Sequence, residues 1–213
     1  MMNFNFNVSE LIFVMPELFL LAAISCILLF DLYVKEELKK FTYHLSQLAL
    51  LITGLLAFNL IGESATIFSG TFVLDTLGST FKVFIAGFSI IALVYSRHYL
   101  SVHGLLRNEY FILALMSILG MLVMVSGHSL LTLYLGLEIM SLSLYALIAT
   151  ARDRAFAIEA ALKYFVLGAI ASGLLLYGMS MIYGITGNLD IAQIASFASL
   201  ATLEPQETLI LNF

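Results

Sequence analysis

The chain of 213 residues is 62% hydrophobic and only 11% charged, with a mean hydropathy of +1.04. A soluble domain holds roughly 45–50% apolar and about 25% charged residues and needs polar groups on the surface that faces water. This composition therefore excludes a soluble globular protein and indicates an integral membrane protein. The formal net charge of −5, without a basic cluster, argues against a nucleic-acid partner.

The first apolar run is predicted to be an uncleaved membrane helix. The ten residues before it carry no positive charge, and no small-residue cleavage site follows the run, so it does not have the pattern of a signal peptide. Cys26, the single cysteine, lies within this run, where we expect a packing residue. One cysteine excludes disulfide bonds within the chain and cysteine clusters for zinc.

Six segments are long and apolar enough to cross the membrane, which takes about 20 residues for roughly 30 Å of hydrocarbon. The predicted spans cover residues 10–31, 43–61, 76–96, 108–127, 129–150 and 157–184. Runs of this length are not the alternating strands of about 10 residues that build membrane barrels. Residues 189–201 are predicted to lie along the surface, and 207–213 to open a seventh helix after Glu204 and Pro205. The predicted fold is an all-α integral membrane protein of about six transmembrane helices plus the start of a seventh.

Basic residues occupy alternate connections between these spans. The first, third and fifth connections hold Lys35, Lys39, Lys40, Arg97, Arg107, Arg152 and Arg154. The second, fourth and sixth hold no lysine or arginine, only acids such as Glu63, Asp75, Asp190 and Glu204. Because positive charge stays on the cytoplasmic side of short loops, we predict that the N-terminus faces outward and the odd-numbered connections face the cytoplasm.

Glu138 lies close to the middle of the fifth predicted span, within LLTLYLGLEIMSLSLYALIA. A charged side chain at the bilayer centre costs about 2.5–3.5 kcal/mol on insertion scales. A partner, a water-filled cavity or protonation can offset this energy, and each of these is also a component of a proton path. Glu138 is therefore a candidate residue for proton or cation translocation; a structural hydrogen-bonding role is the alternative.

Lys163 follows 25 residues later, near the cytoplasmic third of the sixth predicted span. The short polar turn between the two spans makes them antiparallel neighbours, and the two side chains differ in depth by roughly 10 Å. A direct salt bridge to Glu138 requires the lysine stem to reach outward, so we expect a connection through water. Small residues at 168–173 suit close helix packing. Snorkelling of Lys163 to the cytoplasmic surface is the alternative.

The remaining charged and histidine residues receive structural interpretations. Lys82 lies within two turns of the outer end of helix three, and we expect it to snorkel towards Asp75 or the lipid headgroups. Glu17 and Asp31 are predicted to be boundary residues of helix one. The four histidines lie near span ends without ligand spacing, so no metal site and no redox cofactor are predicted for this chain.

The segment LYLGLEIMSLSLYALIA, followed by EAALKYFVLGAIASGLLLYGMSMIYGITGNLD, closely resembles the subunit N family among the antiporter-like membrane subunits of proton-pumping NADH:quinone oxidoreductase, respiratory complex I. The first helix, with PELFL and LLFDLY, is similar to the same family, and the resemblance covers essentially the whole chain. The wider family includes subunits of Mrp-type cation/proton antiporters, and all its members carry a glutamate on helix five. The run LKYFVLGAIASGLLLYG, with its lysine on helix six, looks more like subunit N than the others.

The resemblance implies roles for both candidate residues. Glu138 matches the helix-five glutamate, which is thought to modulate the charge state of a nearby lysine, and Lys163 matches the helix-six lysine. The family's main proton-carrying lysine belongs to a broken helix seven, with further lysines on helices eight and twelve, but no lysine follows Lys163 in this sequence. Family members have about fourteen helices with two inverted repeats. The resemblance thus implies a truncated chain, with flanking helices one to three in 1–107 and helices four to six plus the start of seven in 108–213.

The implied function is that of a membrane-arm subunit of NADH:quinone oxidoreductase in the bacterial inner membrane. Its partners would be other membrane subunits of complex I and the lipid bilayer, while other subunits handle quinone and NADH. Electron transfer elsewhere would change charges along a row of buried ionisable residues, with Glu138 altering the proton affinity of a helix-seven lysine by Coulomb interaction and Lys163 relaying a proton. The alternatives are a subunit of a Mrp-type antiporter or membrane-bound hydrogenase, and a non-transporting membrane scaffold.

Overall fold

The structure is a computed structural model that describes residues 8–33, 41–151 and 153–200. Its helices are α1 (Met15–Tyr33), α2 (Phe41–Asn59), α3 (Thr76–Val102), α4 (Asn108–Ser126), α5 (Leu130–Ile148), α6 (Ala155–Thr186) and α7 (Ile191–Leu200). A 3-10 helix, Val8–Val14, leads into α1, and the short strands β1 (Ala65–Ile67) and β2 (Phe72–Leu74) lie between α2 and α3. Lys35, Lys39, Lys40, Arg152 and the predicted helix start at 207–213 lie outside the described residues.

The six predicted spans are confirmed, since α1 to α6 are long and apolar enough to cross a membrane. Several helix ends differ by a few residues from the predicted ends, because a helix can continue past its apolar run into polar residues. Thus α3 reaches Val102 rather than residue 96. The 32 residues of α6 make it about 48 Å long, so it extends beyond a hydrocarbon layer of about 30 Å or tilts within it. The surface segment predicted at 189–201 contains α7.

Helices α1 to α4 pack around one apolar core. The residues buried there come from all four helices and include Leu20, Ile24, Leu50, Leu93, Phe111, Leu115 and Leu122. α1 and α3 both pack against α2 and α4, so they lie across from one another in this four-helix group. α6 packs against α5 and buries only Ala161 and Thr186 of its own residues, which leaves most of its surface uncovered by the rest of the described chain.

α4 and α5 approach each other closely at two glycines. A Cβ atom on Gly120 would lie 2.6 Å from the carbonyl oxygen of Gly136 and 2.6 Å from the backbone nitrogen of Met140. A Cβ atom on Gly136 would lie 2.9 Å from the carbonyl oxygen of Gly120. Small residues permit such backbone contact between membrane helices, and here they fix the position of α5 against the four-helix core.

The even-numbered connections meet at one end of the molecule, which we call the hairpin end. β1 and β2 form an antiparallel hairpin whose turn holds Phe68 and Ser69 in the left-handed region, at φ 52° and 57°. The backbone nitrogen of His128 donates to Thr71 O at 3.0 Å, and that of Leu130 donates to Leu189 O at 2.9 Å. The connections before α3, α5 and α7 are therefore joined by backbone hydrogen bonds.

The helix ends beside the odd-numbered connections lie together at the opposite end, which we call the arginine end after Arg97, Arg107 and Arg154. Asp31 at the end of α1 accepts hydrogen bonds from Thr42 Oγ1 at 2.8 Å and Asn108 Nδ2 at 2.7 Å. An ion pair of 2.5 Å joins Arg107 to Asp153. Asp31 is confirmed as a boundary residue, and the grouping of these connections at one end agrees with the alternation of charge in the sequence.

Candidate functional site

Glu138 is the ninth of the 19 residues of α5, so its carboxylate lies near the middle of the span. The side chain is half-buried and faces α6. The hydroxyl group of Ser172, the eighteenth of the 32 residues of α6, donates a hydrogen bond to Glu138 Oε1. An acidic group in the middle of the bilayer is therefore met by a polar partner on the neighbouring helix, as its desolvation requires.

Tyr134 extends this contact into a chain of three groups. It lies four residues before Glu138, hence on the same face of α5, and its phenol oxygen is 2.9 Å from Ser172 Oγ. Because the single hydroxyl hydrogen of Ser172 is donated to Glu138, the phenol must donate to the serine oxygen. The hydrogen-bond direction thus runs from Tyr134 through Ser172 to the carboxylate.

Such a chain can respond to the protonation state of its acid. An ionised carboxylate only accepts hydrogen bonds, whereas a protonated one carries an O–H that can donate. Protonation of Glu138 would let the Ser172 and Tyr134 hydroxyl groups turn the other way, since hydroxyl hydrogens rotate freely. The three residues can therefore keep their hydrogen bonds whether or not the carboxylate carries a proton.

The structure does not bring Lys163 to Glu138. Lys163 Nζ forms a 2.6 Å ion pair with Glu159 Oε1, one turn earlier on α6, and both side chains are largely exposed on the surface of the described chain. Lys163 precedes Ser172 by nine residues, about 14 Å along the helix axis. The sequence predicted an offset of roughly 10 Å between Lys163 and Glu138 and did not predict the local partner Glu159.

One structural interpretation from sequence is wrong, and another is incomplete. Lys82 does not snorkel towards Asp75 or the headgroups: it is 1% exposed, and its Nζ lies 2.5 Å from Glu17 Oε1. Glu17 does lie in the first turn of α1, as a boundary residue would, but it is 4% exposed and buried inside the four-helix group, which was not predicted. Asp75 instead caps α3, where its carboxylate accepts from the backbone nitrogen of Gly78 at 2.7 Å. Sequence reasoning missed the pairing because the two residues lie 65 positions apart, although each was visible as a charge close to an apolar run.

In the part of the chain that the structure describes, histidine, cysteine, aspartate and glutamate do not form a group of three that could hold a metal ion. His103 Nδ1 bonds within its own helix end, to Tyr99 O at 2.8 Å. The candidate site is thus composed of a carboxylate, two hydroxyl groups and, farther along α6, a lysine–glutamate pair.

Comparison with known proteins places these residues in a family context. A family model described as NADH:quinone oxidoreductase/Mrp antiporter, TM, matches residues 127–213, a range that contains Glu138, Lys163 and Ser172. The chain is 65% identical over 215 residues to NADH-quinone oxidoreductase subunit N of Ruthia magnifica subsp. Calyptogena magnifica, covering 100% of this chain and 44% of the relative. It is 50% identical over 185 residues to subunit N of Alkalilimnicola ehrlichii, covering 86% of this chain and 38% of that relative. The chain spans less than half the length of these curated relatives.

Two solved structures share the fold. Respiratory complex I from Thermus thermophilus with bound Aureothin contains a chain with a TM-score of 0.71 at 26% identity, covering 92% of this chain and 41% of that one. An archaeal membrane-bound sulfane sulfur reductase contains another, with a TM-score of 0.76 at 24% identity, covering 93% and 42%; this second likeness shows the fold alone. The 65% identity over the whole chain, together with the family model that matches residues 127–213, shows that the chain belongs to the family of antiporter-like membrane subunits of NADH:quinone oxidoreductase and Mrp antiporters.

Proposed function

We propose that the chain acts within a membrane-arm subunit of NADH:quinone oxidoreductase, which couples electron transfer from NADH to quinone with proton translocation. The curated relatives carry the name of subunit N of that enzyme, and their identity to the chain, 65% and 50%, supports the same role here. Because the chain spans 44% of the first relative, the activity is that of a larger assembly. Other membrane subunits would be its partners, and quinone, NADH and redox cofactors would bind elsewhere.

The observation that carries the proposal is the hydrogen-bonded chain of Tyr134, Ser172 and Glu138 in the middle of the membrane. Burying a carboxylate there is unfavourable, and such residues in membrane proteins mark ion and proton pathways. These hydrogen-bonded groups give Glu138 a hydroxyl partner that can donate to the ionised carboxylate and accept from the protonated one. Glu138 would thereby change charge during the cycle and act on neighbouring ionisable groups through Coulomb interaction, which is strong where water is excluded.

Lys163 is proposed as a second proton-carrying residue on the path. It lies at the arginine-end half of α6, with Glu159 as a counter-ion at 2.6 Å. In the membrane a charged pair on the uncovered surface of a span requires protein or water against it, which supports a polar route between the cytoplasm and Glu138 that includes Lys163. The division into flanking helices, 1–107, and an incomplete antiporter-like repeat, 108–213, stays a prediction.

The location we propose is the bacterial inner membrane, with the N-terminus on the outer side. Arg97 lies in the last turns of α3, and Arg107 and Arg154 directly precede α4 and α6, so all three are at the arginine end. Positive charge is retained on the cytoplasmic side. The hairpin end would then face outward.

The test replaces Glu138 in the complete gene by Gln and by Ala, and measures quinone reduction and proton pumping in membrane vesicles. We expect both activities to fall by about tenfold or more, with E63Q, at an exposed acid of the hairpin-end connection, as the matched control. Unchanged activity in both assays would remove Glu138 from the mechanism. Proton pumping that depends on sodium would favour the Mrp-type alternative. Normal activity after neutralising both Glu138 and Lys163 would favour a non-transporting scaffold.

A further inference from the structure

A buried ion pair links two helices outside the candidate site. Lys82 on α3 and Glu17 on α1 are 1% and 4% exposed, and Nζ lies 2.5 Å from Oε1. The pair differs from Arg107–Asp153 and Lys163–Glu159, whose side chains reach the surface of the chain. Its two charges are thus withdrawn from both water and lipid, and each depends on the other for compensation.

The pair crosses the four-helix group at the hairpin end. α1 and α3 face one another across α2 and α4 rather than packing side by side, and Glu17 and Lys82 both lie within the first turns of their helices. The long lysine stem bridges the distance between the two helices. The ion pair therefore connects α1 and α3, two helices of the group that do not pack side by side.

The hairpin lies over this contact. The ring of Phe72 in β2 has its centroid 5.1 Å from Lys82 Nζ, a cation–π distance. Phe72 is itself 5% exposed and packs with Val14, just before α1, and Ile67 in β1. The ammonium group is thus held between a carboxylate on one helix and an aromatic ring of the hairpin, with apolar residues around it.

We propose that Glu17 and Lys82 form a charge-compensated clamp that holds α1 against α3 and seats the hairpin over that end of the helices. Removing one partner from a buried pair leaves an unpaired charge in a low-dielectric site and is strongly destabilising, whereas replacing both partners is tolerated far better. In the membrane the penalty is reinforced, since an unpaired charge also opposes stable insertion of its helix. The clamp is a device for assembly, separate from the groups that carry protons.

The experiment compares E17Q, K82M, the double variant E17Q/K82M and the exchanged pair E17K/K82E, each in the complete gene. The readouts are the amount of the protein in the membrane and its thermal unfolding midpoint, neither of which depends on proton translocation, followed by pumping per assembled copy. We expect each single variant to lower the amount several-fold, as destabilised proteins are degraded. Both double variants should restore at least half of it, with normal pumping per copy. E63Q is the control for loss of an acid at the same end.

Several results would overturn the clamp. Single variants present at the normal amount would show that neither charge needs its partner. Double variants as depleted as the single ones would show that the two residues do not compensate each other. A neutral double variant present at the normal amount but without pumping would show that the pair carries protons. As an independent check, F72A should lower the thermal midpoint, because it removes the ring that faces Lys82.

Discussion

The hydroxyl group of Ser172 on α6 donates its hydrogen to the carboxylate of Glu138 on α5, and this contact joins the two helices in the middle of the membrane. Glu138 is easily recognised in the sequence, because it is an acid inside an apolar run. Ser172 is not, because it is one of several small residues of α6. The consequences of this contact can be tested one group at a time.

Replacing Ser172 by Ala should lower proton pumping by about tenfold while Glu138 remains in place. A hydrogen bond to a charged group contributes about 1.5–3 kcal/mol, and a loss at the lower end of that range already changes a rate by about tenfold. Pumping in membrane vesicles measures the effect, with S180A as the matched control, since Ser180 is exposed and bonds only to Tyr177 O in its own helix. Equal pumping by the two variants would contradict a role for the serine hydroxyl.

Replacing Tyr134 by Phe should have a smaller effect, about threefold to tenfold, because the phenol contacts the carboxylate only through Ser172. If the three groups act as one chain, adding Y134F to S172A should lower pumping no further, since residues of one network are not additive. The double-variant cycle in the same pumping assay measures this. Independent, multiplying losses would show that Tyr134 acts by another route.

Replacing Lys163 by Met should lower pumping without unfolding the protein. The ion pair with Glu159 forms within one helix, and both side chains are largely uncovered by the rest of the described chain. Its loss removes little packing between helices, so the thermal midpoint should hardly change. K163R should preserve much of the pumping, and E159Q separates the effect of the pair from that of the lysine charge. A K163M protein that pumps normally would limit Lys163 to a structural role.

The close approach of α4 and α5 predicts that Gly120→Ala is destabilising by about 1–3 kcal/mol, as for an overpacked core. The new methyl group would meet backbone atoms of Gly136 and Met140, which cannot move aside without separating the helices. Gly173→Ala on α6 is the matched control, because no atom lies within 4 Å of its Cβ position. Thermal midpoints of the two variants should therefore differ by several degrees, and equal midpoints would exclude the tight contact.

The proposed orientation predicts which cysteines react from outside the cell. In a C26S background, S64C lies on the hairpin-end connection and S101C near the arginine end, and both positions are exposed. A membrane-impermeant maleimide should label S64C on intact cells stripped of their outer membrane. S101C should react only after permeabilisation. The reverse pattern would invert the topology.

Much of this architecture follows from the amino-acid sequence because a bilayer imposes simple length and polarity requirements. The six spans and Glu138 were predictable, since each depends on a run of neighbouring residues. The pairing of Glu17 with Lys82 was not, because it depends on which helices face one another across the group. The hairpin was missed as well, since its strands have only three residues each, too few to show the alternation that marks a strand, although Ser69-Gly70 between them is a turn signal.

The positions of Tyr134 and Ser172 illustrate the same limit at the candidate site. Tyr134 is four residues before Glu138, so the sequence shows that they share a face of α5, but not what lies opposite. Only the packing of α6 selects Ser172 from the small residues that surround it. The small residues of α6 do permit close packing, since a Cβ atom on Gly168 would overlap the Tyr145 ring of α5, but the sequence did not indicate the glycine contact between α4 and α5.

The joined connections of the hairpin end bear on how Glu138 and Ser172 can work. The backbone bond from Leu130 to Leu189 ties the start of α5 to the residues that follow α6, while the short connection from residue 149 to 154 ties the other ends together. Two helices that are joined at both ends cannot readily separate in the middle. Because both ends of the helix pair are tied, a change in charge at Glu138 would be accommodated by rotation of its side chain and of the neighbouring O–H groups rather than by separation of the two helices.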